Sequence, residues 1–332
     1  MEWRVPSFPH EVRDEPTVEV VDGAFLTRYE NGPLRTVGMP HRYLRGAVHD
    51  RDGRLVVTSQ KIGGTNGHPW VPADPARVRV DERSDLLSGR WLYGGHWIQH
   101  FGHFVVETVS TLWPAGHEPA GLVFHKYLRR PVVREDWMLR LLELAGYGGL
   151  PVEVVNAQRD VRVEQLVVPS RSVVANGWGH PQAREVWERI VAPFRGGGDP
   201  RRVLLSRTAF NEAARREGAA RVRSSRERDQ AIDRAFAARG FEVVAPETLA
   251  IDDQLRLVAD AEIVAGGSGS ALHLTAFAPR GTRVVEVGDE RNPHEPIGLQ
   301  RVVDRLGGHP HAFLGGDLTV AELDREIRSI DD

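Results

Sequence analysis

The sequence predicts an α/β protein of two domains, and three observations predict it. At 332 residues the chain exceeds what one hydrophobic core usually organises, so two domains are the default. From residue 201 onward, strand-forming and helix-forming segments take turns four times, the pattern of a parallel sheet with helices on both faces. Between the halves lies 195-RGGGDPR-201, where three glycines and an Asp-Pro step form the best linker in the chain. The expected domains are therefore 1–195 and 196–332.

Each element follows from its local pattern. TVEVVDGAFLTRYE and RLVVTSQ, separated by turns at Asn31-Gly32-Pro33 and at 52–53, read as strands of a β-rich N-terminal extension. KIGGTNGHPWVPADP is too rich in glycine and proline to be regular. A helix is expected from about Trp97 to Leu112, stopping before Pro114. GLVFH is a buried strand, REDWMLRLLELAGY a helix closed by glycines, VRVEQLVVPS a strand and PQAREVWERIVAPF a helix opened by proline. In the second half RRVLLSR, FEVVAP, EIVAGG and TRVVEVG are strands. RERDQAIDRAFAARG, DDQLRLVADA and SALHLTAFA are the helices between them.

Composition excludes several functions. With 41% hydrophobic and 27% charged residues the chain is an ordinary globular protein. A net charge of −3 offers no basic field for nucleic acid. There is no cysteine, which removes thiolate nucleophiles and thiolate-held metals. Positive charge is almost all arginine, Lys61 and Lys126 being the only lysines, and the guanidinium fork suits phosphate. No apolar stretch approaches the roughly 18 residues that span a bilayer, and the N-terminus has no apolar signal core. A cytoplasmic location is expected, compatible with peripheral contact at the inner face of a membrane.

The turn Gly266-Gly267-Ser268-Gly269-Ser270 joins a strand to an expected helix. Glycines let a ligand approach the backbone closely. A helix start offers unpaired N–H groups and a partial positive charge, so a diphosphate is the natural occupant. The plainer reading is a strand-to-helix connection with serine capping. Neighbours favour the ligand: Glu286 at the end of the next strand could accept ribose hydroxyls. Ser206 and Arg207, at the end of the domain's first strand, place a guanidinium in reach of phosphate. His273, one turn into the helix, either faces the diphosphate or packs. A nicotinamide fingerprint fits poorly, because leucine stands where the third glycine belongs and the turn follows the third strand rather than the first.

The stretch 94-GGHWIQHFGHFVVET-108 sets His96, His100, His103 and Glu107 at gaps of four, three and four. On a helix they would share an arc of about 60° and span about 16 Å, too far for one ion to touch all four. A metal held by an adjacent pair would need further ligands from elsewhere, and no comparable cluster supplies them. An acid–base pair asks less of the sequence.

Three blocks resemble glycosyltransferase family 61: 103-HFVVE-107, 203-VLLSR-207, and 240-GFEVVAPE-247 continuing through 254-QLRLVADAEIVAGGSGSALHLTAFAPRGTRVVEV-287. The family's usual histidine and asparagine in the last block are Ser268 and Leu274 here, and His273 replaces its threonine. The resemblance implies a GT-B fold with two Rossmann-like domains facing across a cleft, acceptor-side in 1–195 and donor-side in 196–332. It implies an inverting transfer from a nucleotide-diphosphate sugar to a glycan or other hydroxyl acceptor, with no metal or cofactor required, as in bacterial capsular or surface-polysaccharide synthesis. Arg207, Ser206, Gly267, Ser268, Gly269, Ser270, His273 and Glu286 would then serve the donor, and His96 and His100 the acceptor side. Either His103 or Glu107 could be the base while the other orients it. The family pattern, and the power of burial to raise a carboxyl pKa, favour Glu107. The competing expectations are a non-catalytic nucleotide-sugar-binding homologue and, further off, a His/Glu metal-dependent oxygenase or hydrolase.

Overall fold

A computed structural model describes residues 1–12, 15–28, 46–61, 63–65, 68–70, 76–127, 131–198, 201–218, 222, 224–290 and 292–331. The expected turn at Asn31-Gly32-Pro33 lies outside them. The chain forms two compact units, one of His10–Arg189 and one of Met1–Pro9 with Ile190–Asp332. Each is α/β with parallel strands. Among the described residues no helix is long and apolar enough to cross a membrane.

The first unit is built on a six-stranded sheet. Its strands are β1 (Val18–Leu26), β2 (Val48–His49), β3 (Asp85–Trp97), β4 (Gly121–Lys126), β5 (Val152–Val155) and β6 (Val161–Pro169), in the order β2-β1-β6-β3-β4-β5. From β6 to β5 the pairing is parallel. The β-rich extension enters as β1 and β2, joined antiparallel at the β6 edge. Side chains of β1, β3 and β6 (Val21, Trp91, Tyr93, Val163, Leu166) fill one core.

Strand β3 corrects the sequence reading twice. It was not expected, and it runs through Trp97, so His96 lies on a strand and the helix begins only at Phe101. Its glycines hide it. Gly89 and Gly95 adopt φ of 79° and 78°, and the register slips between Leu87 and Arg90 and between Tyr93 and His96. Such bulges erase the alternation by which a strand is recognised. RLVVTSQ is likewise no strand: after an isolated bridge at Leu55, Val57–Ser59 form a 3-10 turn. β5 was not anticipated either.

The helix after β3 is composite. Phe101–His103 are α, Phe104–Thr108 form a π turn, and Val109–Leu112 tighten to 3-10. Trp97 packs edge-on against Phe104 and Phe124 at 5.2 and 5.1 Å, fixing the helix to the sheet. A Cβ on Gly94 would overlap the Phe124 ring, so the first glycine of the motif is required by aromatic packing. The indole of Trp187 donates to the Val105 carbonyl at 3.0 Å, satisfying an acceptor within the π turn.

The second unit follows the predicted alternation through its first four strands and adds an unforeseen fifth. Strands β7 (Arg201–Leu205), β8 (Glu242–Val244), β9 (Ala261–Gly267), β10 (Arg283–Val287) and β11 (His311–Leu314) pair in parallel in the order β8-β7-β9-β10-β11. The chain leaves β7 on one side to make β8, then crosses to β9 on the other, so the switch point lies between β7 and β9. Leu204, Ile263, Ala265 and Val285 with Phe236, Phe241 and Ile327 make its core. The N-terminal residues join here, through a backbone pair between Arg4 and His311.

One expected helix is corrected. Leu272–Phe277 is a short 3-10 helix, not an α-helix. All six of its residues are buried, so no polar stripe exists to favour a longer amphipathic turn. The macrodipole argument for an anion at this place falls with it.

Candidate active site

In the first unit, the composite helix brings a charge cluster together. Glu107 is 7% exposed. One of its carboxylate oxygens accepts from the Lys61 ammonium and the other from Nδ1 of His103, one turn earlier. Burial pushes the Glu107 pKa up, but the Lys61 charge and the His103 contact outweigh it and bring it down to about 2. The expectation of a raised pKa is thus overturned: a carboxylate held this firmly charged is a feeble proton acceptor near neutrality. Its geometry suits orientation instead. By accepting from Nδ1–H it fixes the ring's orientation and, in the neutral imidazole, puts the lone pair on Nε2. The His103 side chain is 42% exposed, so this nitrogen can meet a ligand.

Arg171 extends the cluster by another turn. Its guanidinium donates to the Thr111 hydroxyl at 3.1 Å and to His96 Nδ1 at 2.9 Å. Thr111 in turn donates to the Glu107 carbonyl at 2.9 Å. A side chain on Gly95 would occupy the place of the Arg171 guanidinium, and this is the reason for the second glycine of the motif. Burial and the Arg171 charge keep His96 well below its ordinary pKa. Burial, partly offset by the bond to the Thr27 carbonyl, lowers His125 to about 3. Both rings are therefore neutral: His96 accepts from Arg171 at Nδ1, while His125 donates Nε2–H to the Thr27 carbonyl and accepts from Tyr93 at Nδ1. Tyr93 bonds His125 at 2.8 Å, and the Lys61 ammonium lies 5.4 Å from the centre of the Tyr127 ring. His100 sits at the helix N-cap, exposed, its ring 5.2 Å from that of His103. His100, His103 and Glu107 share the helix; His96 reaches the same cluster from the strand.

In the second unit, a groove opens at the carboxyl ends of β7, β9 and β10, beside the switch point. Ser206, Arg207, Arg228, Asp233, Gly267 and Ser268 are among its walls. Such sheets take ligands at this place. Arg207 donates to the Ser268 carbonyl at 3.2 Å and stacks on Phe210 at 5.3 Å. A Cβ on Gly267 would lie 2.8 Å from Arg207 Cδ and one on Gly269 2.6 Å from its Nη1, so these glycines make room for that arginine. The amides of Gly269, Ser270 and Ala271 meet no acceptor among the described residues. Successive free amides of this kind attract anions without a long helix behind them.

Two expected ligand residues, Glu286 and His273, lie away from the groove, and Ser206, in its wall, is tied to neighbours. Ser206 donates to Asp233 at 3.0 Å and accepts from the Thr208 amide. Glu286 is wholly buried below the turn, accepting from the Ser268 hydroxyl at 2.6 Å and the Ile297 amide at 3.3 Å, and so is sealed from any ribose. Burial raises its pKa to about 7 against the nearby His311. His273 packs inward, its Nδ1 2.8 Å from Gln300, and Gln300 continues through Asp304 to His311. Glu286 and His273 thus brace the turn from beneath.

Sequence reasoning missed Lys61, Arg171, Tyr127 and Asp233. Lys61 carried one signal, as one of two lysines in an arginine-rich chain. Arg171 carried none, because nothing local marks one arginine among so many.

No curated protein matches the chain. A family model described as Glycosyltransferase 61 matches residues 101–285, from the first residue of the composite helix into β10. That span is more than half of the chain and holds His103, Glu107, Arg207 and the glycine turn. The protein therefore belongs to glycosyltransferase family 61 and is a glycosyltransferase, acting between a sugar donor and an acceptor.

Proposed function

We propose that the protein transfers a sugar from a nucleotide-diphosphate sugar to a hydroxyl of a glycan acceptor, with inversion at the anomeric carbon and without a required metal. The fold would be of the GT-B class, a reading supported by the parallel sheet in each unit. The setting is glycan synthesis of the bacterial surface-polysaccharide kind.

The observation that carries this reading is the groove at the switch point, walled by Arg207, Arg228, Gly267 and Ser268, next to the turn in which the amides of residues 269–271 meet no acceptor among the described residues. A diphosphate held by the Arg207 guanidinium beside that turn would have the charge that builds as the sugar–phosphate bond breaks stabilised. That is the work a divalent cation does elsewhere, hence the expectation that none is needed. His103 takes the acceptor proton at Nε2, and Glu107 holds the ring and stabilises the imidazolium. The acceptor oxygen then attacks the anomeric carbon from the face opposite the leaving diphosphate, which inverts it.

The test uses a panel of nucleoside diphosphates and their sugars with the purified chain. Arg207→Ala should weaken nucleotide binding at least tenfold, while His103→Ala should retain binding and lose about 10²–10⁴ in turnover. Undiminished nucleotide affinity in Arg207→Ala would place the donor elsewhere. Turnover abolished by chelator and restored by a divalent cation would refute metal independence.

A further inference from the structure

The cluster on the composite helix holds more positive charge than its own carboxylate balances. Lys61 and Arg171 are both cationic, Glu107 is the one carboxylate paired with them, and His96 and His125 are neutral. Lys61 already has Glu107 as partner. Arg171 has none: among the described residues no carboxylate lies within ion-pair distance of it, and its hydrogen-bond partners are Thr111, His96 and Tyr93. A guanidinium has five N–H donors, so donors remain after these three neutral acceptors are served. Holding such a charge out of water with its nearest counter-charge, Glu107, beyond ion-pair distance is costly. Gly95 carries a positive φ and no side chain, and a Cβ there would displace the guanidinium. Thr111 and His96 then hold the fork from two sides. A fixed, partly buried arginine with spare donors and neutral neighbours is built to receive an oxyanion.

We infer that Arg171 binds a carboxylate on the acceptor, so that the acceptor is an acidic glycan carrying a uronic acid. This rests on the reading of His103 as the base on the acceptor side. The surplus is a single positive charge, which one carboxylate neutralises and a phosphate monoester dianion overshoots. Arg171 is then a specificity residue, separating charged from neutral acceptors without touching the transferred sugar.

The test measures binding of glucuronate, galacturonate, methyl glucoside, glucose 6-phosphate and uridine and guanosine diphosphates to the full chain by calorimetry. The wild type should prefer a uronate over methyl glucoside at least tenfold. Arg171→Gln should abolish that preference and leave nucleotide affinity unchanged, and Arg171→Lys should keep part of it. Should the glutamine variant fail to fold, the lysine variant decides: uronate affinity equal to wild type in Arg171→Lys would overturn the inference, since lysine lacks the fork. Equal binding of uronate and methyl glucoside by the wild type would overturn it too, as would tighter binding of glucose 6-phosphate than of either uronate. Nucleotide binding without uronate binding sinks this inference alone. Uronate binding lost in Arg171→Gln, with no nucleotide bound by any form, supports it while sinking the donor assignment.

Discussion

Replacing Glu107 by glutamine removes the carboxylate but keeps its shape, and leaves the Lys61 ammonium buried without a counter-ion. The magnitude can be reached from two directions. Losing one partner of a buried pair costs about 3–5 kcal/mol. Independently, the Glu107 pKa falls from an ordinary 4.5 to about 2, and at about 1.4 kcal/mol per unit that is worth about 3 kcal/mol. Because the folded pKa is depressed, this stability is fully present above pH 4.5 and is lost as the pH falls through about 2. Tryptophan fluorescence reports the right unit, since seven of the eight tryptophans (all but Trp3) lie in His10–Arg189. Urea melts followed this way should show Glu107→Gln destabilised by about 3 kcal/mol at pH 7. The gap from wild type should narrow at pH 3 and below. Lys61→Met in the same chain should restore much of the loss, because no orphaned charge remains. A difference below about 1 kcal/mol at pH 7, or one that does not change with pH, would refute the buried pair.

Two further outcomes follow from packing. Trp187→Phe leaves the Val105 carbonyl without its indole donor, which should cost about 1–3 kcal/mol in the same urea melt. A loss under about 0.5 kcal/mol would mean that the π turn finds another donor. Gly269→Ala puts a methyl 2.6 Å from Arg207 Nη1 on a backbone with φ of 149°. Nucleoside-diphosphate affinity, measured by calorimetry, should fall at least tenfold; unchanged affinity would show that Arg207 need not hold its present place.

The two halves of the chain differed in how openly they could be read. In the second unit the stops are clean, such as Gly240 after RERDQAIDRAFAAR, and four of the five strands sit where periodicity placed them, while His311–Leu314 and the helices Thr208–Arg216, Gly298–Gly307 and Val320–Arg328 were not foreseen. In the first unit the longest strand was invisible. DLLSGRWLYGGHW is buried over its second half and bulged at glycines, so neither alternation nor length marked it. The helix start at Phe101 went astray for the same reason, since an apolar run between a strand and a helix shows no boundary.

The α/β class, the candidate pair His103 and Glu107, and the glycine turn are all legible in the linear chain, because each depends on contacts between residues near one another in it. Tertiary structure alone decided which carboxylates stay charged. Lys61 stands 46 positions from Glu107, and their meeting reverses the direction in which burial alone would move that pKa. Burial likewise took Glu286 out of reach of a ligand, and it brought Arg171 from beyond β6 to the composite helix. Electrostatic energy depends on distance and exposure in space, and a linear order of residues holds neither.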